Sequence, residues 1–188
     1  MNAPPELGTD RLILRAPRSG DAEAIFERLS SSEAVTRFVG WPRHRSVEDS
    51  ATFLRVSAAQ WATWPGGPYL AFSRANGRLL GSTGFGFRTE DTAETGYVFA
   101  EDAWGQGYAT EALRAVIAVA LDLRLAHLVA QCHPAHHASI HVLEKCDFVR
   151  DESYAGLYEF PNLEPGREQA VLYFEHLPHA RSAHQTER

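Results

Sequence analysis

Residues 96–113 read GYVFAEDAWGQGYATEAL, and the path of this stretch decides the architecture around it. An apolar segment, TGYVFA (95–100), has the composition of a strand and runs into a turn holding Gly105 and Gly107. The turn passes directly into a helical pattern from Gly107 to Leu123. Ala112, Val116, Val119, Ala120 and Leu123 fall on its apolar side. Glycine lets the backbone curl so that several N–H groups converge, and a helix start leaves further N–H groups unpaired. Together they make an anion cradle suited to a phosphate or pyrophosphate, to which the helix dipole adds about 0.3–1 kcal/mol. The spacing matches neither the dinucleotide fingerprint G-x-G-x-x-G nor the nucleotide-triphosphate loop. Alone, a Gly-x-Gly turn is a common steric device that binds nothing.

The flanking chain fixes the context. RLILR (11–15) alternates and ends before a proline, as a strand does, and AEAIFERLS after Asp21 has helical spacing. Ser46 and Asp49 resemble a capping box for a helix from Val47 to Trp61. YLAFSR (69–74), Asn76-Gly77 and LLGSTGFGF form a hairpin pattern. HLVAQC (127–132) reads as a buried strand, Ala138 to Lys145 as a short helix, and FVRDESY and QAVLYFEHL as closing strands. This order predicts a mixed α/β (α+β) domain with a central hairpin meander, not a doubly wound repeat. The expected divisions are a loose N-terminal extension (1–10), one domain (11–177) and a flexible C-terminal tail (178–188).

The bulk numbers narrow the function classes. The 188 residues are 44% hydrophobic and 22% charged, as in a soluble globular domain. A net charge of −6 argues against direct binding of nucleic acid. No apolar run reaches the ~20 residues of a membrane span, and no signal peptide is evident. Two cysteines, Cys132 and Cys146, make a poor disulfide framework, so reduced thiols and a cytoplasmic location are expected. The stretch CHPAHHASIH (132–141) holds four of the nine histidines. His137 and His141 would share a helix face, but a metal site needs three or four converging ligands, so none is predicted.

Four segments carry a resemblance across nearly the whole chain: TDRLILRAPRSGDAEAIF, GRLLGSTGF, ETGYVFAEDAWGQGYATEAL and HPAHHASIHVLEKCDFVRDE. In order and spacing they resemble the GNAT superfamily of acyl-CoA N-acyltransferases, in its RimJ/RimL-type branch. The resemblance implies a central sheet of about seven strands, flanked by helices, with a splay between two central parallel strands. It implies an acetyl-CoA-dependent N-acetyltransferase that moves the acetyl group directly to a primary amine, a protein N-terminus or a small molecule. The alternative is a non-catalytic acyl-CoA sensor on the same scaffold. The amides of Gly105, Gln106, Gly107, Tyr108, Ala109 and Thr110 would hold the pyrophosphate, and the edge at Val98, Phe99 and Ala100 would pair with pantetheine. Trp104 stands where the superfamily has Arg or Gln, His136 where it has Asn, and Asp147 where it has Gly. A neutral imidazole both donates and accepts. His136 is therefore expected to keep the cofactor contact and to make it pH-sensitive between pH 5.5 and 8.

Acetyl transfer needs a neutral amine, a polarised thioester carbonyl and a protonated leaving thiolate. A terminal amine, with a pKa of about 7.7–8.0, demands less of a base than lysine at about 10.4. Glu94 corresponds to the family's carboxylate, or is a solvated strand-end residue. Ser139 corresponds to a serine placed to protonate the thiolate, or is a first-turn helix residue. Tyr97 and Tyr108 are further hydroxyls in reach of such a role, and Cys132 reads as core. For the acceptor, Trp41, Phe85 and Tyr97 are the candidates, with Trp61, Trp64 and Tyr69 as other aromatics nearby. Either a monomer or a homodimer fits.

Overall fold

The computed structural model describes residues 1–176. Its strands are β1 (Glu6–Gly8), β2 (Leu12–Arg15), β3 (Pro68–Ser73), β4 (Leu79–Phe87), β5 (Thr92–Phe99), β6 (His127–Cys132), β7 (Phe148–Arg150), β8 (Leu157–Glu159), β9 (Glu168–Ala170) and β10 (Leu172–His176). The α-helices are α1 (Ala22–Ile25), α2 (Glu33–Thr36), α3 (Val47–Thr63), α4 (Tyr108–Asp122) and α5 (His137–Lys145). Eight strands form one sheet in the order β1-β2-β3-β4-β5-β6-β10-β7, and β8 pairs with β9 in a separate ribbon. Every neighbouring pair in the large sheet is antiparallel except β5 and β6, which run parallel.

Local chemistry explains the main elements. Helix α3 starts at the expected capping box: the Asp49 N–H donates to Ser46 Oγ, and the Ser46 N–H donates to Asp49 Oδ2. Gly77 supplies the positive φ, 68°, that the β3–β4 turn requires. Alternation in the strands splits the core between the faces of the sheet. Leu80, Phe99 and Phe174 pack with Leu113, Val116 and Leu143 of α4 and α5. Leu70 and Leu79 pack with Ile25, Leu29 and Leu54 on the other side.

Several expectations are corrected. Residues 1–10 are not loose as far as they carry β1, which pairs with β2 at the sheet edge. The Ala3 N–H donates to Pro65 O at 2.6 Å and the Tyr69 hydroxyl to Pro4 O at 2.7 Å. A three-residue strand that follows two prolines and ends on a glycine leaves no periodicity to read. It brings the large sheet to eight strands where about seven were expected. The segment after Asp21 is α1 followed by a wider π turn, Phe26–Ser30. FVRDESY contracts to β7. QAVLYFEHL breaks at Val171, whose N–H turns to Gly156 O, so β9 joins the ribbon while β10 enters the sheet. Leu177 and the expected tail lie outside the described residues.

Candidate active site

Strands β5 and β6 pair over only three positions, Thr92–Glu94 against His127–Val129. Beyond Glu94 they diverge, as the expected splay requires. The first turn of α5 stands beside the gap, with the Tyr97 hydroxyl 2.9 Å from both Ser139 O and Ser139 Oγ. A cleft of about 1150 Å³ follows this gap.

One end of the cleft is the glycine turn. Gly105 and Gly107 adopt φ of 71° and 80°. A Cβ at Gly105 would meet nothing, and one at Gly107 only Arg11 at 3.5 Å. Conformation rather than crowding therefore demands these glycines. Gly107 caps α4, so the N–H groups of Tyr108, Ala109 and Thr110 in its first turn have no carbonyl partner within the helix. Gly105, Gly107, Tyr108, Ala109 and Thr110 all line it, whereas Gln106 does not. The Gln106 side chain donates to Asp102 O at 2.6 Å, and the Gln106 backbone carbonyl accepts from Arg11 at 2.8 Å. Arg11, which sequence reasoning missed, also bonds Glu111 at 2.6 Å and covers the Tyr108 ring at 4.5 Å. It ties β2 to the turn. Its signal in the sequence, one arginine before an apolar strand, is too common to read.

The open edge of β5 differs from expectation. The Ala100 N–H donates to Leu80 O at 2.8 Å, and the Ala100 carbonyl accepts from Ala103. Both groups are engaged, and Ala100 does not line the cleft, so the edge role expected of it is not supported. Val98 stands opposite Ser82 in the β4 ladder. In a planar trans peptide the Phe99 carbonyl points opposite to the Ala100 N–H, away from β4 and toward the gap. That carbonyl accepts from Trp104 Nε1 at 2.7 Å. The tryptophan thus occupies the acceptor that a strand-like ligand would use.

At the centre of the cleft, burial raises the Tyr97 phenol well above its ordinary value, so the group holds its proton. Tyr97 has one proton for two oxygens of Ser139. When it donates to the carbonyl, the Ser139 hydroxyl is the donor between the two side chains. Burial also raises the Cys132 thiol, which argues against a thiolate nucleophile. Cys132 and Cys146 are both free and buried. His136 caps α5 and lines the cleft. Its ring stacks on Phe38 at 4.6 Å. Burial, reinforced by His133 and His137, lowers its pKa from 6.5 to about 4. His136 is therefore neutral from pH 5.5 to 8, and the expected pH-sensitive contact is corrected. His137 and His141 line the same cleft as His136. Among the described residues no group of three or more His, Cys, Asp or Glu converges to hold a metal ion.

Toward the other end, Glu94 lines the cleft, and its Oε2 accepts from Arg88 at 2.6 Å. Trp41 and Phe85 also line it, whereas Trp61, Trp64 and Tyr69 do not. Trp61 donates to Pro68 O and meets Tyr69 edge-on, while Trp64 stacks on Phe87. Sequence reasoning missed Phe38, Tyr158 and Phe160, which come from distant segments and carry no motif. The His133 ring lies between Phe38, at 5.1 Å, and Phe160, at 4.9 Å. Asn162 holds the Trp41 loop: its Nδ2 donates to Thr36 O and Trp41 O, and its Oδ1 accepts from Arg43 N–H. No helix among the described residues is long and apolar enough to cross a membrane.

The chain's sequence and fold are similar to those of known proteins. YoaA, an N-acetyltransferase of Bacillus subtilis, is 32% identical over 150 residues, covering 78% of this chain and 84% of its own. The crystal structure of a GNAT-family acetyltransferase from Bacillus anthracis shares the fold with a TM-score of 0.75 at 24% identity, over 92% of this chain and 98% of that one. RimL, an α-N-protein acetyltransferase of a ribosomal protein solved with coenzyme A, shares it with a TM-score of 0.74 at 18% identity, over 90% and 95%. The sequence pattern described as acetyltransferase (GNAT) domain matches residues 11–149, and the chain belongs to that family.

Proposed function

We propose that this protein binds acetyl-CoA in the cleft and transfers its acetyl group directly to a primary amine. The observation that carries this reading is the joining of two features in one cleft: the glycine-formed amide cradle at the start of α4, and the Tyr97–Ser139 hydroxyl pair at the splay. The cradle suits a pyrophosphate. The hydroxyl pair suits a leaving thiolate, which must take up a proton. RimL, on the same fold, holds coenzyme A.

In this reading the amide groups of Gly105, Gly107, Tyr108, Ala109 and Thr110 fix the cofactor. The amine attacks the thioester carbonyl and forms a tetrahedral intermediate. When the intermediate collapses, the C–S bond breaks and Ser139 Oγ gives its proton to the sulfur. Ser139 recovers its proton from solvent by relay through the Tyr97 hydroxyl, which passes one proton on as it takes up another. Glu94 takes the proton lost by the amine, directly or through water, with the oxygen that Arg88 leaves free. Neutral His136 can accept from, or donate to, the pantetheine arm. No step uses Cys132. A sensor without chemistry is the weaker reading, because Asp147 adopts φ 61° and so performs the turn that glycine performs elsewhere in the family. Thermal denaturation tests the binding half. Saturating acetyl-CoA, at about 100 times its Kd, is expected to raise stability by ~2.7 kcal/mol and the Tm with it. An unchanged Tm would remove the foundation of the proposal.

A further inference from the structure

We infer that the acceptor is a monoamine carrying a flat apolar group, and not a polycation. The inference rests on the acetyl-transfer reading and names the substrate class of that same cleft. Among the described residues Glu94 is the only carboxylate lining the cleft, against the cations Arg37 and Lys145. Glu94 is already bonded by Arg88. The protein as a whole carries −6, so its acidic excess lies elsewhere. An ammonium group taken from water into a cleft without a partner carboxylate is strongly disfavoured, and a polyamine or aminoglycoside would bring several. One ammonium has a partner in the free oxygen of Glu94.

The walls say what the rest of the acceptor is. Phe38, Trp41, Phe85, Tyr158, Phe160 and His136 line the cleft, and they come from four separate parts of the chain. Phe38 and His136 are stacked, Phe160 lies 5.4 Å from Tyr158, and Arg37 sits 5.3 Å over the Phe38 ring. Asn162 fixes the Trp41 loop. Neutral His136 adds no charge to the wall. Rings held this way favour a planar apolar partner, which they meet face-on or edge-on. A preformed apolar wall with one polar anchor is the usual build of a small-molecule site.

The test measures release of free CoA thiol from acetyl-CoA with four acceptors: tryptamine, a phenylalanine amide, propylamine and spermidine. The wild-type protein is expected to use the two aromatic amines at least tenfold better, in kcat/KM, than propylamine, and spermidine least of all. Trp41→Ala should raise the KM for the aromatic amines several-fold and leave the KM for acetyl-CoA unchanged. Arg37→Glu should raise the kcat/KM for spermidine at least fivefold. Preferred use of spermidine, or equal use of propylamine and tryptamine, overturns the inference while leaving acetyl transfer intact. Release with none of the four amines, although acetyl-CoA binds, overturns the acetyl-transfer reading, and the inference falls with it.

Discussion

In the proposed reaction the proton transfers fall on Ser139, Tyr97 and Glu94. Ser139 was legible in the sequence by its place in a family segment, but its partner was not. Tyr97 reaches it across a separation of 42 positions, and only the splay of β5 from β6 makes that contact possible. If Ser139 protonates the thiolate, Ser139→Ala should lower kcat by about 10²-fold with little change in acetyl-CoA affinity, since a positioned general acid contributes about 10²–10⁴. Tyr97→Phe should cost less, roughly tenfold, because Ser139 keeps its own proton. Steady-state kinetics with binding measured in parallel checks both. His136 shows the opposite limit. Its identity was plain, but its protonation depends on burial that a sequence does not display. The sign of its effect on folding follows from linkage. The unfolded chain takes up the proton near pH 6.5 and the folded chain only near 4, so stability falls as the pH drops through that window. Urea midpoints at pH 7 and pH 5 should show a loss that shrinks in His136→Asn, while CoA affinity stays flat from pH 5.5 to 8.

At the scale of elements, the strand–turn–helix was the most legible part of the chain. The glycines, the absence of a spacer and the apolar stripe of α4 all speak locally. What the turn does to its neighbours was not legible. Trp104 stood out only as a departure from Arg or Gln, yet its indole holds the one carbonyl of Phe99 that faces the gap. In the proposed binding mode a strand-like ligand competes with that bond for the carbonyl. Trp104→Phe is therefore expected to tighten CoA binding about fivefold, the worth of roughly one neutral hydrogen bond of ~1 kcal/mol. Calorimetric titration would show this, and weaker binding by the variant would mean that the indole itself contacts the cofactor. Asp147 is a simpler case. Its backbone occupies the left-handed region that follows a helix, where Asp is tolerated better than most side chains.

For the whole molecule, the order of elements indicated a mixed α/β domain, and the family resemblance implied the central parallel pair that β5 and β6 form. Neither indicated the order of the ends. β1 is too short for a pattern, and β10 enters between β6 and β7, a pairing between segments 40 or more positions apart in the case of β6. The proposed acceptor wall was hidden for the same reason. Phe38, His136 and Phe160 are near one another only after the sheet has formed. If the cradle and the hydroxyl pair serve one reaction, the thiol released from acetyl-CoA and the amine acetylated, counted in a single assay, should match one for one with wild-type protein. Release should be about 10²-fold slower with Ser139→Ala that still binds acetyl-CoA. Thiol release without acetylated amine, or an undiminished rate in Ser139→Ala, would contradict a shared reaction.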